Sequence, residues 1–495
     1  MSQKPPPPGA TRRDFLRKTA AAATGVHLVN VSTSKLGAQI IGANERIHVG
    51  VCGIKGRGSG HISDYITQKN VVVSTLIDID ENQFAPRQRQ IRDKTGNEAP
   101  NTASDIRHAL EDKNLDVVSI ATCNHTHSIN AILACQAGKD VYVEKPMSHN
   151  VWEGRKVIEA AEKYGRIVQH GTQQRSSESR AREIAAVKSG NYGKLLVSKG
   201  YCCKPRWSIG FKEPQKEPPA HINWDAWLGP APMQPYHANL VHYNWHWFWD
   251  FGNGDTGNQG VHEMDVARWA IDGATLPTRV WGLGGRLGYE DQGETPNMHL
   301  SVFEYGDVLM VFETRGLVDK EVREKFPRKV LNEYYTTEGV IREGKFFPSG
   351  SDKGESVSGG TPDPVTPGGP FRSFITAVRA RDPKLCNAGP EHGHYSSALC
   401  HLGNIAARVG TDAPLAEKPK HQLGDDPRVM EAFETIQENV AAVVGDLSST
   451  NYSLGPVLDF DPTTEKFTGD GETVAAANEM LTRKYREPWV IPDQV

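Results

Sequence analysis

The chain has no apolar run long enough to cross a membrane as a helix, so no membrane span is expected anywhere in its 495 residues. It also lacks an excess of either charge. The formal balance is −4 with both signs mixed along the chain, which leaves no footprint for a polyanion, and nucleic acid is not an expected partner. Cysteine is sparse: Cys52, Cys123, Cys135, Cys202, Cys203, Cys386 and Cys400 make an odd seven, without the spacing of a metal site. Several lie in apolar segments and read as small core residues. No metal centre is expected, and there is no internal repeat. What is present is globular material, 38% hydrophobic and 23% charged, with length for two or three domains and a large core. The 48 glycines and 31 prolines gather in loops and at the start, which fits loop-rich α/β structure better than disorder.

Residues 1–43 read as a signal and linker. Thr11-Arg12-Arg13-Asp14-Phe15-Leu16-Arg17-Lys18 places an arginine pair ahead of the weakly apolar stretch from Ala20 to Val31, and small residues follow near Leu36-Gly37-Ala38. This order is that of an export signal, and the pair with Phe15-Leu16 resembles the twin-arginine type; a basic disordered arm is the alternative. Cleavage after Ala38 or after Ala43 fits. The expected partner is the twin-arginine export machinery, and the expected location is periplasmic or otherwise extracytoplasmic, reached after folding in the cytoplasm. Folding before export accounts for the lack of a disulfide framework.

From Arg46 the pattern becomes strand, glycine turn, helix: RIHVGVCG, then Gly53-Ile54-Lys55-Gly56-Arg57-Gly58, then a helical stretch from about Ser59. A second apolar run, Val71 to Ile77, ends in Asp78. This is the layout of a dinucleotide site, in which glycines let the backbone approach a pyrophosphate at a helix start and the acid accepts from ribose hydroxyls. Lys55 stands where the second glycine of G-x-G-x-x-G would fall, with Gly56 beside it. Asp78 favours NAD over NADP because a carboxylate repels a 2′-phosphate, although Lys55, Arg57 and Arg87 leave NADP open.

Helix and strand keep alternating through Leu115 to Ala121, Ile129 to Ala137, Lys139 to Val143, Val151 to Lys163 and Ile167 to Gly171, giving five or six parallel strands. Two strand ends carry polar groups where open α/β sheets bind ligands: Thr122-Cys123-Asn124-His125-Thr126-His127, and Glu144-Lys145-Pro146. His125 and His127 have no nearby third ligand, and helix capping or local hydrogen bonding is their expected use. Beyond Gly193 short strands alternate without regular helices between them, which implies a largely antiparallel sheet. Six of the ten tryptophans fall between Trp207 and Trp249, and the alternation in Asn244-Trp245-His246-Trp247-Phe248-Trp249 gives two faces, of which one, with Trp245, is a candidate pocket wall. His262 opens a helix directly after the flexible turn Gly252 to Gly260, and Asp265 lies at helical spacing from it.

The series Gly53 to Gly58, Asp78, Thr122 to His127, Gly138-Lys-Asp-Val-Tyr-Val-Glu-Lys-Pro146 and Gln169-His-Gly-Thr-Gln-Gln-Arg175 resembles the Gfo/Idh/MocA oxidoreductases over about Arg46 to Gly410. The resemblance implies an α/β chain: an N-terminal Rossmann doubly wound parallel sheet (44–172) and a C-terminal α+β domain with a largely antiparallel open-faced sheet (173–412); residues 413–495, outside the resemblance, read as one helix, Asp426 to Val444, and an extended tail. It implies that Gly53, Ile54, Lys55, Gly56, Arg57, Gly58, Asp78, Thr122, Asn124, His127, Glu144 and Lys145 hold the cofactor. By the same likeness Lys145 hydrogen-bonds the reacting oxygen and relays a proton, His262 is the principal acid and base, and Glu144 helps hold Lys145 and the ribose. Gln173, Arg175, Trp245 and Asp265 are the substrate-binding candidates. The family commonly has D-x-x-x-H-x-x-D at this point, and Asn258 replaces the first aspartate. An amide orients a histidine without adding charge, so His262 is expected to be a weaker base, with Asp255 or Lys145 sharing the proton work.

The expected activity is hydride transfer between NAD, or NADP, and a hydroxyl or keto carbon of a sugar, sugar derivative or cyclitol, with the cofactor tightly bound in an exported protein. Two alternatives stand beside it. One is an NAD-dependent glycoside hydrolase working by transient oxidation and elimination, and the other is an inactive secreted carbohydrate-binding protein. A homodimer or homotetramer is expected by resemblance.

Overall fold

Strands β1 (Ile47–Cys52), β2 (Val71–Ile77), β3 (Asn101–Ala103), β4 (Val117–Ile120), β5 (Asp140–Val143) and β6 (Val168–His170) form one six-stranded parallel sheet in the order β3-β2-β1-β4-β5-β6. The computed structural model describes residues 46–97, 99–419 and 426–495, and Arg46–Val495 form one compact unit. The arginine pair and the rest of the expected export signal lie outside the described residues.

A parallel sheet is covered on both faces, which is why its strands read as continuous apolar runs: Val49, Val51, Val117 and Val118 are fully buried. The cover comes partly from far along the chain. On one face Phe371, Phe374 and Ile375 of the helix Gly369–Ala380 pack with Val49, Val51 and Tyr142, and the Tyr142 and Phe371 rings stack at 4.5 Å. On the other, Trp489, Ile491 and Val495 of the C-terminal tail join Val118, Ile120 and Ile132. The parallel sheet is therefore completed by segments from beyond residue 172.

The second sheet has twelve strands: β7 (Leu195–Cys203), β8 (Arg279–Gly285), β9 (Met298–Tyr305), β10 (Val308–Arg315), β11 (Lys329–Thr336), β12 (Gly339–Arg342), β13 (Lys345–Pro348), β14 (Glu355–Ser356), β15 (Thr411–Pro414), β16 (Asn451–Leu454), β17 (Leu458–Asp461) and β18 (Lys466–Thr468). Its pairings are antiparallel except β7 with β10, so the largely antiparallel expectation holds. One face packs on the helices Val261–Trp269 and Pro390–Arg408 through residues such as Met264, Phe303, Phe312 and Leu399. Where an open outer face was expected, the central strands are covered: Val429, Phe433, Ile436 and Val440, an apolar stripe of the helix Pro427–Val444, sit on Val197, Leu300, Val302 and Val311.

The helix Pro390–Arg408 also reaches back to the first sheet's loops. Ser397 Oγ accepts from the Met147 amide at 2.8 Å, fixing the segment after β5. The Lys145–Pro146 peptide in that segment is cis.

Candidate active site

The strand order sets the order of the loops along the carboxyl edge of the parallel sheet. From β5 outward these loops bring Lys145, then Thr122 to Asn124 after β4, the glycine turn after β1, Asp78 after β2, and Ser104 to Ile106 after β3. All of them line one groove of about 750 Å³, which the second half of the chain closes with residues including Trp227, Trp245, His246, Asn258 and His262. The groove thus has a reacting end at Lys145 and a far end beyond Asp78.

The glycine turn fits a pyrophosphate. Gly53 has φ +80°, and a Cβ there would lie 2.5 Å from the Ala121 carbonyl oxygen. A Cβ on Gly58 would lie 1.9 Å from the Gly53 carbonyl oxygen, so the helix Arg57–Tyr65 can start this close to β1 only with glycine there. Nothing stands within 4 Å of a Cβ at Gly56, and Lys55 is exposed on the groove in place of the missing glycine. Asp78 accepts from the Ile54 amide at 2.7 Å and the Asp80 amide at 2.9 Å, which ties the turn to the end of β2. Burial pushes its carboxyl up to about 6, against the pull of those two amides. Ile54 itself is fully buried and contributes through its backbone. Gly-turn amides, an acid at the ribose position and a long groove are a donor and acceptor set that a dinucleotide satisfies.

At the reacting end Lys145 Nζ donates to the Asn258 carbonyl oxygen at 2.5 Å and to Asn258 Oδ1 at 3.3 Å. This corrects the expectation that Asn258 orients His262: it holds Lys145. The turn Thr256–Gly260, which carries Asn258, is π-helical and leads directly into the helix that carries His262. Asp255 does not restore charge beside His262 either, because it pairs with Arg206 at 2.7 Å. His262 lines the groove and makes no side-chain hydrogen bond among the described residues; burial, and then the Lys145 charge, push its imidazole down to about 3. It is neutral at ordinary pH. Burial also lowers the Lys145 ammonium from its usual value, opposed by the Glu144 and Asp255 carboxylates. Of the two, the lysine is the stronger base.

Glu144 does not hold the Lys145 side chain. Its Oε1 accepts from Arg57 Nε at 2.8 Å, His61 Nε2 at 3.1 Å and Gln173 Nε2 at 3.3 Å, and Oε2 accepts from the Lys145 amide at 3.3 Å. Burial alone would raise this carboxyl, but the hydrogen bond from His61 and the charge of Arg57 keep it well below the usual range. Behind it runs a chain that the sequence did not signal: Tyr65 OH donates to Ser119 Oγ at 3.2 Å, and Ser119 meets His61 Nδ1 at 2.9 Å. Burial lowers the His61 pKa, so a neutral ring with its proton on Nε2 satisfies both neighbours.

The loop after β4 is braced internally. Thr122 Oγ1 accepts from Thr126 at 2.7 Å, Asn124 donates to Asn253 at 3.1 Å, and the buried His127 ring lies between the Pro146 and Thr122 carbonyls. His125 meets the Trp227 carbonyl at 2.8 Å, a partner 102 residues away where a local one was expected. No group of three or more His, Cys, Asp or Glu able to hold a metal occurs among the described residues.

Two substrate-binding expectations are overturned. Arg175 and Asp265 do not line the groove: they form a buried ion pair at 2.9 Å, with side chains 5% and 0% exposed. Asp265 also accepts from Ser396, Thr172 and Arg268. Its carboxylate is wholly committed to joining the Val261–Trp269 helix to its neighbours. Gln173 and Trp245 do line the groove, Trp245 stacked on His246 at 3.6 Å between centroids. His246 and Gln259 are further lining residues; Gln259 accepts from Lys204 at 3.0 Å and donates to the buried Glu263 at 3.2 Å. His246 was visible only as one place in the aromatic alternation, and Gln259 gave no signal.

Because the Asn258 carbonyl survives any side-chain change, Asn258→Ala lowers kcat by less than about tenfold, the worth of one weak hydrogen bond. Steady-state kinetics at saturating cofactor checks this, and a loss of a thousandfold would restore a direct catalytic role to the amide.

Residues 47–172 match the sequence model of the Gfo/Idh/MocA oxidoreductase family, NAD-binding Rossmann fold, and residues 186–280 match the model of that family's C-terminal alpha/beta domain. The chain is 30% identical over 171 residues to an inositol 2-dehydrogenase of Salmonella paratyphi B, covering 34% of this chain and 49% of that protein. It is 25% identical over 207 residues to a glycosyl hydrolase family 109 protein of Saccharopolyspora erythraea, covering 38% and 45%. The chain thus spans about half the length of the curated relatives it matches. The crystal structure of the WlbA dehydrogenase from Bordetella pertussis in complex with NADH and UDP-GlcNAcA is similar at TM-score 0.54 and 17% identity, covering 74% of this chain and 97% of that one. That likeness is one of fold. The family-model match supports an NAD-binding Rossmann domain over residues 47–172.

Proposed function

We propose that the chain is a Gfo/Idh/MocA oxidoreductase which transfers a hydride between a nicotinamide dinucleotide and a hydroxyl-bearing carbon of a sugar, sugar derivative or cyclitol. The observation that carries this is the single groove joining the glycine turn and Asp78 to Lys145, which is held by Asn258 across the reacting end. When bound, the nicotinamide supplies the hydride acceptor or donor. The chain's own groups do the rest. Lys145 takes the hydroxyl proton as the carbon is oxidised and returns it on reduction, and burial, by lowering its pKa from the usual lysine value, favours the unprotonated amine that this needs. His262, neutral and unpartnered, hydrogen-bonds a substrate hydroxyl, and Trp245 with His246 covers the apolar face of the ring. The Asp78 carboxyl, at about 6, is charged above that pH and disfavours a 2′-phosphate, so NAD is the proposed cofactor. The relatives named for inositol oxidation support the substrate class.

The test is to denature the purified protein, identify any released nucleotide, and then offer the native protein a panel of sugars and cyclitols with NAD while following reduced nicotinamide by absorbance. A protein that neither carries nor binds NAD or NADP refutes the proposal and favours the carbohydrate-binding alternative. The relative named as a glycosyl hydrolase favours one second reading, glycoside cleavage without net redox. Release of free sugar from glycosides with no accumulation of reduced nicotinamide would establish it.

Export completes the proposal. Arg12→Lys combined with Arg13→Lys abolishes delivery to the extracytoplasmic fraction, because the pair is read by the export machinery as an address. Fractionation and immunoblotting of cells carrying each form decides this, and undiminished export of the double variant refutes it.

A further inference from the structure

The C-terminal tail lies outside both family matches, yet it reaches the cofactor groove. Trp489 lines the groove with Asp78, Ser104, Asp105 and Ile106 and is 3% exposed. Those neighbours follow β2 and β3, the two outermost strands on that side, so Trp489 stands at the end farthest from Lys145. If Lys145 marks the nicotinamide and Asp78 the ribose, the space beside Trp489 is where the purine falls. The indole is held rigidly: the Arg107 guanidinium lies 4.2 Å over its ring and is itself fixed by Asp105. Its Nε1–H is buried and has no hydrogen-bond partner among the described residues, so the ring meets the groove through carbon atoms.

The tail is anchored on both sides of the tryptophan. After it, Ile491 and Val495 enter the core under the sheet. Before it, Arg486 donates to Asp225 Oδ1 at 2.6 Å, the Asp225 carbonyl at 2.8 Å and the Gly229 carbonyl at 3.0 Å. These belong to the helix Trp224–Leu228 and its end, the same segment whose Asn223 amide donates to the Ile79 carbonyl at 2.7 Å beside Asp78. Tail and second-domain segment therefore hold one another across the far end of the groove.

We propose that Trp489 walls the nucleobase end of the cofactor groove, and that the Arg486-anchored tail makes the dinucleotide a retained group. This rests on the nucleotide reading above and extends it. A retained cofactor suits an enzyme that recycles it within one turnover or is reoxidised in place.

The test compares release of adenine-labelled NAD from the full-length protein into an excess of unlabelled NAD, alongside affinity for nicotinamide mononucleotide, which lacks the adenosine half. Trp489→Ala speeds release by about tenfold to a hundredfold, the worth of an aromatic contact to a base, and leaves mononucleotide affinity unchanged. Trp489→Phe, which keeps an aromatic wall, releases NAD at close to the wild-type rate. Arg486→Ala, which does not touch the groove, also speeds release and tests the anchor if the alanine variant at 489 fails to fold. Release no faster than wild type in Arg486→Ala, or in a folded Trp489→Ala, overturns the proposal while leaving the function intact, as does equal weakening of the mononucleotide. A wild-type protein that binds no dinucleotide overturns both.

Discussion

Lys145→Ala lowers kcat by about 10²- to 10⁴-fold, the range over which a positioned acid or base contributes, and leaves NAD binding in place. Lys145 contributes to the groove only at its reacting end, and the elements that grip a dinucleotide, the Gly53 to Gly58 turn and Asp78, are carried by other strands. Quenching of protein fluorescence by NAD therefore persists in the variant. His262 does not rescue the reaction, because burial, the largest cause of its lowered pKa, persists in the variant and it accepts a proton poorly at neutral pH. The pH profile adds a second readout. In the oxidation direction the amine must be unprotonated, so the rate rises with pH through a value below the ordinary lysine 10.5, and the alanine variant loses that inflection. Lys145→Arg binds substrate but stays charged at every accessible pH and is as slow as the alanine form. Full activity in Lys145→Ala would falsify the proton role and return attention to His262.

Asp265→Ala destabilises the fold by about 3–5 kcal/mol, as expected when one partner of a buried ion pair is removed. The alanine leaves the Arg175 guanidinium, 5% exposed, and the buried Arg268 without the carboxylate that both face. Chemical denaturation with the slope held in common measures the loss. Sequence resemblance made Asp265 a substrate ligand; in that case the midpoint would be unchanged and KM alone would rise, so the experiment separates the two. The effect also depends on pH in one direction. The charges of Arg175 and Arg268 outweigh burial and depress the Asp265 pKa from 3.8 when folded, so the carboxylate contributes stability above that value and loses it as pH falls below it. The gap between wild type and Asp265→Asn is accordingly widest near neutrality and narrows in acid.

Much of the site was legible because its parts lie at the ends of regular elements. A strand, a glycine turn and a helix start are local patterns, and once β1, β2, β4 and β5 are read as parallel, their carboxyl ends must share one edge. Gly53, Gly58, Asp78, Thr122 and Lys145 follow from that. The second half was legible as a class of sheet but not as a surface: the helix Pro427–Val444 was read as a helix from its apolar stripe, yet nothing in that stripe named the sheet face it would cover.

Sequence by itself determined the order of secondary elements, the cofactor turn and the lysine at a strand end, because hydrophobic period and turn chemistry act within a few residues. Tertiary structure alone decided which polar groups meet. Lys145 and Asn258 are 113 residues apart, Arg175 and Asp265 are 90 apart, and Trp489 lies almost at the end of a chain whose groove opens at Gly53. A side chain's type tells what it can bond, but its partner is fixed only when distant segments are packed and each buried donor, acceptor and charge has been satisfied by whatever the fold brings within reach.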